Sequence, residues 1–239
     1  MKATGRTDKG RKRSNNQDSI YIGDGPIGPL PNLFIVADGM GGHAAGDFAS
    51  RYAISVVLDF VRGSTVRNPI SLLRRAMIYA NSEVYREAEK DPDKYGMGTT
   101  MVACVADGRE LYVANVGDSR LYRIRDEITQ ITMDHSLVEE LIRSGQLERN
   151  RGRNHPEKNL ITRAMGSRDE VMPDFFEISL EEGDKVLLCS DGLSNMVEDD
   201  EIRDIVREAD GPEAAVESLI ERANYYGGND NISAILISF

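Results

Sequence analysis

The chain has 239 residues, 40% hydrophobic and 29% charged, a balance that allows a sizeable core and excludes the low-hydrophobicity, high-charge composition of disorder. Forty acidic residues against 29 basic ones leave a net charge of −11, which argues against nucleic acid or an anionic membrane as the main partner. No apolar stretch approaches the roughly 18 residues of a membrane span, and Met1-Lys2-Ala3-Thr4-Gly5-Arg6 lacks the apolar segment of a signal peptide, so a cytoplasmic protein is expected.

In chain order, short apolar runs rich in β-branched residues and bounded by turn residues predict strands at Ser19 to Ile22 and Leu33 to Ala37. Helical spacing follows: Ala45, Phe48, Ala49, Tyr52, Ala53, Val56, Val57 and Phe60, then Ile70, Leu73, Met77, Ala80, Val84 and Ala88. Further strands are predicted at Thr99 to Ala106, Glu110 to Val116, Ser119 to Ile124 and Glu127 to Met133, with Asp107-Gly108 as a hairpin turn. From Asp134 to Arg168 the pattern weakens, and Arg143 to Arg168 carries seven Lys or Arg against two Glu. This basic segment is either a solvated surface insertion or a flap beside a site for something anionic. Strands resume at Asp174 to Leu180 and Lys185 to Ser190, a helix follows Gly211-Pro212, and a last strand covers Asn231 to Phe239. Strands in the middle with helices outside imply an α+β sandwich. No repeat, low-complexity tract or linker divides the chain, so one domain over 1–239 with an insertion at about 134–168 is expected.

Cys104 and Cys189 lie far apart in apolar segments, outside any C-x-x-C or C-x5-R spacing, and read as buried hydrophobes. Ser119 and Ser190 are not in G-x-S-x-G and are not candidate nucleophiles. Gly39-Met40-Gly41-Gly42-His43-Ala44 matches the spacing of a dinucleotide fingerprint. However, Asp59, the acidic residue that should close a second strand, lies inside a helical pattern, and Asp38 would crowd the pyrophosphate.

The informative feature is a set of aspartates at strand ends. Asp38-Gly39 and Asp191-Gly192 each follow an apolar run, Asp118 follows Val116-Gly117, Asp230 precedes the last strand and Asp18 precedes an early one. Each Asp-Gly pair alone is also a common turn. Several aspartates fixed on rigid elements make an oxygen-rich cage that would repel itself if uncompensated, and with three histidines in the chain such a cage suits Mg2+ or Mn2+ rather than Zn2+.

Taken in order, Arg13-Ser14-Asn15-Asn16-Gln17-Asp18, Val36-Ala37-Asp38-Gly39-Met40-Gly41-Gly42-His43, Gly98-Thr99-Thr100, Val116-Gly117-Asp118-Ser119-Arg120, Ser190-Asp191-Gly192-Leu193 and Gly228-Asn229-Asp230-Asn231-Ile232 resemble the metal-dependent protein phosphatases of type 2C in their bacterial form. The resemblance covers essentially the whole chain. It implies a four-layer αββα sandwich of two antiparallel sheets flanked by helices, and a serine/threonine phosphoprotein phosphatase using two Mn2+ or Mg2+ ions. By resemblance, Asp38 would bridge both ions, Asp191 and Asp230 would complete the first, and the Gly39 carbonyl and a water held by Asp18 would complete the second. Asp118 would hold a third ion with Asp191. Arg13 would grip the substrate phosphate, a role that suits its bidentate donors, although it also reads as one solvated charge among Lys9, Arg11 and Lys12.

Met40 stands where some relatives have a histidine proposed as general acid, and His43 has no role assigned by sequence, so the acid stays open. Gly98-Thr99-Thr100 reads as a close backbone approach near the site, and His155-Pro156 matches the flap of bacterial relatives. The implied partners are phosphorylated Ser/Thr proteins, including a cognate Ser/Thr kinase, with the protein a monomer that binds neither nucleic acid nor membrane. The competing functions are a non-catalytic phosphoprotein-binding pseudophosphatase, disfavoured because Asp18, Asp38, Asp118, Asp191 and Asp230 are all present, and a phosphatase of an anti-sigma-factor antagonist.

Overall fold

The computed structural model describes residues 1–42 and 45–239. Its elements are β1 (Lys2–Asp8), β2 (Asp18–Gly23), β3 (Leu33–Met40), α1 (Ala45–Arg62), α2 (Pro69–Lys90), β4 (Gly98–Thr99), β5 (Met101–Asp107), β6 (Glu110–Val116), β7 (Arg120–Ile124), β8 (Ile128–Gln130), α3 (Leu137–Arg143), α4 (Arg149–Gly152), β9 (Asp174–Ser179), β10 (Lys185–Cys189), α5 (Asp191–Ser194), α6 (Asp199–Glu208), α7 (Pro212–Tyr225) and β11 (Ile232–Ser238). One sheet has the order β1-β11-β10-β7-β8 and the other β2-β3-β5-β6-β9, with β4 beside the end of β3. Neighbouring strands run antiparallel.

Three apolar clusters define four layers. One packs Leu33, Ile35 and Ala37 of β3 against α1 and α2, and one packs Leu187, Ala234 and Leu236 against α6 and α7. The third lies between the sheets and contains Phe34, Val36, Leu188, Ile235 and Ile237. This is the αββα sandwich expected. Period-two alternation explains why β3 and β5 are apolar on both faces: odd residues of β3 meet the helices and even ones meet the opposite sheet. None of the helices is long and apolar enough to cross a membrane among the described residues.

The Asp107-Gly108 turn forms as predicted, with Gly108 at φ 61 and Asp107 paired to Glu110. Helix α7 starts at Pro212, and Asn68 caps α2 by accepting from the Ser71 N–H at 2.8 Å. Strand β1 was not predicted. Its sequence, KATGRTD, is polar, and the strand forms because it pairs along its length with β11 at the sheet edge.

Candidate active site

The alternation that builds the core between the sheets also places the site. Asp38 has the parity of Phe34 and Val36, and Asp18 lies directly opposite it in the β2–β3 register. At this end of the sandwich the apolar side chains between the sheets give way to Asp18, Asp38, Ser190 and Ser233. Ser190 and Ser233 both donate to Asp18 Oδ2 at 2.7 Å.

The backbone of Asp38 is clamped by three bonds. Its N–H donates to Thr100 Oγ1 at 3.0 Å, while its carbonyl accepts from the Thr100 N–H at 2.8 Å and from Thr99 Oγ1 at 2.9 Å. Thr100 Oγ1 also bonds Ser119 Oγ at 2.7 Å. Gly98-Thr99-Thr100 is thus a structural support, as expected, and Gly98 lies in close approach, where a Cβ would sit 3.0 Å from the Met165 carbonyl.

The two Asp-Gly pairs owe their glycines to contact rather than to turns. A Cβ on Gly192 would lie 1.9 Å from the Asn231 carbonyl, and one on Gly39 would lie 2.0 Å from the Gly46 carbonyl. Gly192 thereby lets Asp191 meet the chain at Asp230, and Gly39 lets Asp38 sit against the start of α1. We expect Gly192→Ala to cost about 3 kcal/mol by overpacking against backbone. Gly108→Ala, left-handed but in open space, should cost about 1–2 kcal/mol. Denaturant unfolding of both checks the order, and equal costs would remove the contact argument.

A cleft of 250 Å³ collects Arg13, Asp38, Gly39, Asp118, Asp191 and Asp230, with Met40 beside them, so six of the seven site residues expected from sequence share one cavity. Asp18, the seventh, lies buried behind it. His43 lies outside the described residues. His155 does not line the cleft, and its Nδ1 accepts from the Glu157 N–H in a local turn.

Lack of water and mutual repulsion load the carboxylates. Burial, with the charges of Asp191 and Asp230, pushes Asp18 up to about 7 against the pull of the two serines. Burial and Asp230 push Asp191 up to about 6. Asp38 is raised well above the usual carboxylate range by burial and by Asp18, Asp191, Asp118 and Asp230, and Asp118 by burial, Asp191 and Asp134. Asp18 Oδ1 and Asp191 Oδ1 are buried with no hydrogen-bond partner. Orphaned carboxylate oxygens among like charges are the donor set of a hard divalent cation, so the residues fit Mn2+ or Mg2+.

The cage is open, however. Among the described residues no three Asp, Glu, His or Cys side chains are drawn together as a closed ligand set, and the carboxylates hold donors of their own. Asp191 Oδ2 accepts from Asn195 at 2.9 Å, and Asp230 Oδ2 accepts from Arg13 at 2.7 Å. Sequence separated these two roles, giving Arg13 to the phosphate and Asp230 to an ion; the structure pairs them.

The basic segment 134–168 is tied down at its base. Buried His135 accepts from the Gly117 N–H through Nδ1 at 3.1 Å, which assigns the proton to Nε2, 3.0 Å from Asp174 Oδ2. Its backbone bonds Gly117 and Thr162. Arg120 grips Asp134 bidentately at 3.0 and 2.6 Å. Ser136 bridges Ile161, and Asn159 and Ile161 reach the cleft. His135 and Ser233 were not identified from sequence, because nothing local distinguishes them from ordinary polar residues, and the Ser190 motif gave no sign that its hydroxyl holds Asp18. Arg149 and Arg153 line a neighbouring groove of 680 Å³ that shares Asp118 and Asp191, and both are ion-paired, to Glu139 at 3.1 Å and to Glu198 at 2.8 Å. Cys104 and Cys189 are buried and their thiols are pushed up by that burial, Cys189 to about 12, so both are inert hydrophobes.

A family model described as protein phosphatase 2C matches residues 7–236. The chain is 39% identical over 242 residues to the serine/threonine phosphatase stp of Listeria monocytogenes serovar 1/2a, an alignment covering 99% of this chain and 95% of that one. It is similar in structure to serine/threonine phosphatase Stp1 from Staphylococcus aureus, with a TM-score of 0.93 and 33% identity over 99% of this chain and 94% of that chain. The catalytic domain of the serine/threonine protein phosphatase PstP, solved in complex with two manganese ions, gives a TM-score of 0.86 and 35% identity over 98% of this chain and 96% of that chain. Likeness on this scale, in sequence and in fold together, leaves one assignment: the chain belongs to the protein phosphatase 2C family.

Proposed function

We propose that this metal-dependent serine/threonine protein phosphatase works through the carboxylate cleft, where Asp38 would be a ligand common to two Mn2+ or Mg2+ ions. Asp191 and Asp230 would complete the ligands of the first ion. The Gly39 carbonyl and Asp18, acting through a water, would serve the second, and Asp118 with Asp191 would offer a weaker third position. When bound, two such ions supply a nucleophilic water at neutral pH and neutralise the charge that develops in an in-line displacement. A water nucleophile leaves no covalent phosphoenzyme.

The chain's own residues hold and orient. Thr99 and Thr100 fix the backbone of Asp38, and Ser190 and Ser233 orient Asp18. Arg13, half exposed at the mouth of the cleft, would bind phosphate oxygens in place of Asp230, leaving that carboxylate available as a ligand. The general acid stays unassigned: Met40 lines the cleft and carries no proton. The substrates are phosphorylated Ser/Thr proteins, a cognate Ser/Thr kinase among them, and the protein acts as a cytoplasmic monomer with residues 134–168 as a flap over its single domain.

The observation that carries this reading is the gathering of Arg13, Asp38, Gly39, Asp118, Asp191 and Asp230 in one cleft. Release of inorganic phosphate from a phosphothreonine peptide, with Mn2+ and then with EDTA, beside Asp191→Ala, tests it. Turnover should require both the metal and Asp191. No turnover from folded, Mn2+-loaded protein would move the weight to a phosphoprotein-binding module.

A further inference from the structure

We propose that the segment Lys9 to Lys12 is a rigid cationic rim that selects phosphosites flanked by acidic residues. The inference rests on the phosphatase reading and names the substrate class of the same cleft.

Four of the five residues from Lys9 to Arg13 are basic in a chain of net charge −11. Arg13 lines the cleft and is engaged by Asp230. Lys9, Arg11 and Lys12 are exposed, and none has a carboxylate within ion-pair distance among the described residues. Successive Cα atoms are about 3.8 Å apart, so the backbone of Lys12 and Arg11 lies within roughly 4 and 8 Å of that of Arg13. Arg11 faces a second groove, of 540 Å³, that runs beside α7 and is lined by Arg6 and Arg222 as well as by Asp8 and Glu221.

The backbone of this segment is bolted to the chain around Asp230. The N–H groups of Arg11 and Lys12 both donate to the Gly228 carbonyl, at 2.8 and 3.1 Å. Asn231 Nδ2 donates to the carbonyls of Lys9 and Asn15, each at 2.9 Å. Gly10, at φ 77, lies so close that a Cβ would stand 2.1 Å from the Asp230 carbonyl. A fixed backbone next to Arg13 leaves only side-chain order to be lost on binding, which favours a positioned electrostatic contact.

The basic flap is the less suitable receiver. Of its seven basic residues, Arg149, Arg153 and Arg163 are already ion-paired, to Glu139, Glu198 and Asp174, and the other four are spread along 26 residues from Arg143 to Arg168, whereas the rim gathers its charges in four. The rim makes no ion pair among the described residues, although Arg11 stands near enough to Asp8 to help hold that carboxyl low, and it adjoins Arg13 in the chain.

The test compares two phosphothreonine peptides that differ only in Glu or Gln at the flanking positions, with Mn2+ present. The unsubstituted protein should favour the Glu peptide about 10-fold in kcat/KM at low salt, through KM rather than kcat, with the preference fading as ionic strength rises. Arg11→Gln with Lys12→Gln should bring the ratio close to one, and Arg11→Glu with Lys12→Glu should invert it, while turnover of a small aryl phosphate stays unchanged. A ratio near one in the unsubstituted protein, or the same ratio in the variants, would overturn the rim. Absence of turnover on the Gln peptide and the aryl phosphate alike would instead bring down the phosphatase reading beneath it.

Discussion

Replacing Asp38 with alanine is expected to lower Mn2+-supported phosphopeptide turnover about 10³-fold or more while leaving the metal-free protein at least as stable as before. The two halves have separate causes. Losing the carboxylate shared between the ions removes several kcal/mol of charge stabilisation, and about 4 kcal/mol corresponds to roughly 10³ in rate. The fold is spared because the bonds that fix this end of β3 use the N–H and carbonyl of Asp38, not its side chain. The carboxyl itself is a burden to the metal-free fold, raised by burial and by the charges of Asp18, Asp191, Asp118 and Asp230. Its removal relieves that repulsion. Phosphate release with Mn2+ and a thermal melt in EDTA check both halves. Turnover within tenfold of the unsubstituted protein would sink the shared-ligand role, and a melt several degrees lower would make Asp38 a structural residue.

The aspartates were legible because strand alternation is legible: each apolar run that ends in Asp marks where a core between sheets stops and a polar end begins. What sequence left open was the reason for the glycines beside them. Asp-Gly is a turn signal at Gly108, where φ is 61, whereas Gly39 and Gly192 serve a close approach to Gly46 and Asn231, and only the tertiary fold distinguishes the two uses. The same limit hid the pairing of Arg13 with Asp230, 217 positions apart, and the serines that hold Asp18. The surplus of positive charge counted from Arg143 to Arg168 is also partly a matter of where the counting stops. The carboxylates that neutralise Arg149 and Arg153 are Glu139 and Glu198, one on each side of that window. Strand β1 was lost for a related reason: a polar edge strand takes its structure from its partner, here β11.

The carboxylate cluster also sets how the metal-free protein responds to pH. Folded Asp18 is pushed up to about 7 and Asp191 to about 6, against an ordinary value of 3.8, and Asp38 and Asp118 are raised in the same direction. From about pH 4 to about pH 7 the folded state therefore binds more protons than the unfolded chain, and stability falls as pH rises through that window. His135 works against this trend, since burial holds its imidazole below the usual range and the folded state gains stability as pH rises toward 6.5; one histidine against four carboxylates does not reverse the slope. Carboxyls held low, such as Asp174 and Asp8, lose their contribution only below about pH 4, outside the window. Mn2+ competes with the protons for the same oxygens, so its stabilisation should be small at pH 5 and large at pH 8. The expected result is a gap between melts in Mn2+ and in EDTA that widens by the order of 10 °C across that range. Asp38→Ala should flatten the EDTA curve, because it takes a charge out of the repelling set. A midpoint in EDTA that does not fall with pH, or a gap of the same size at both ends, would mean that the carboxylates do not meet as one electrostatic unit, and the ion site would have to be sought elsewhere in the chain.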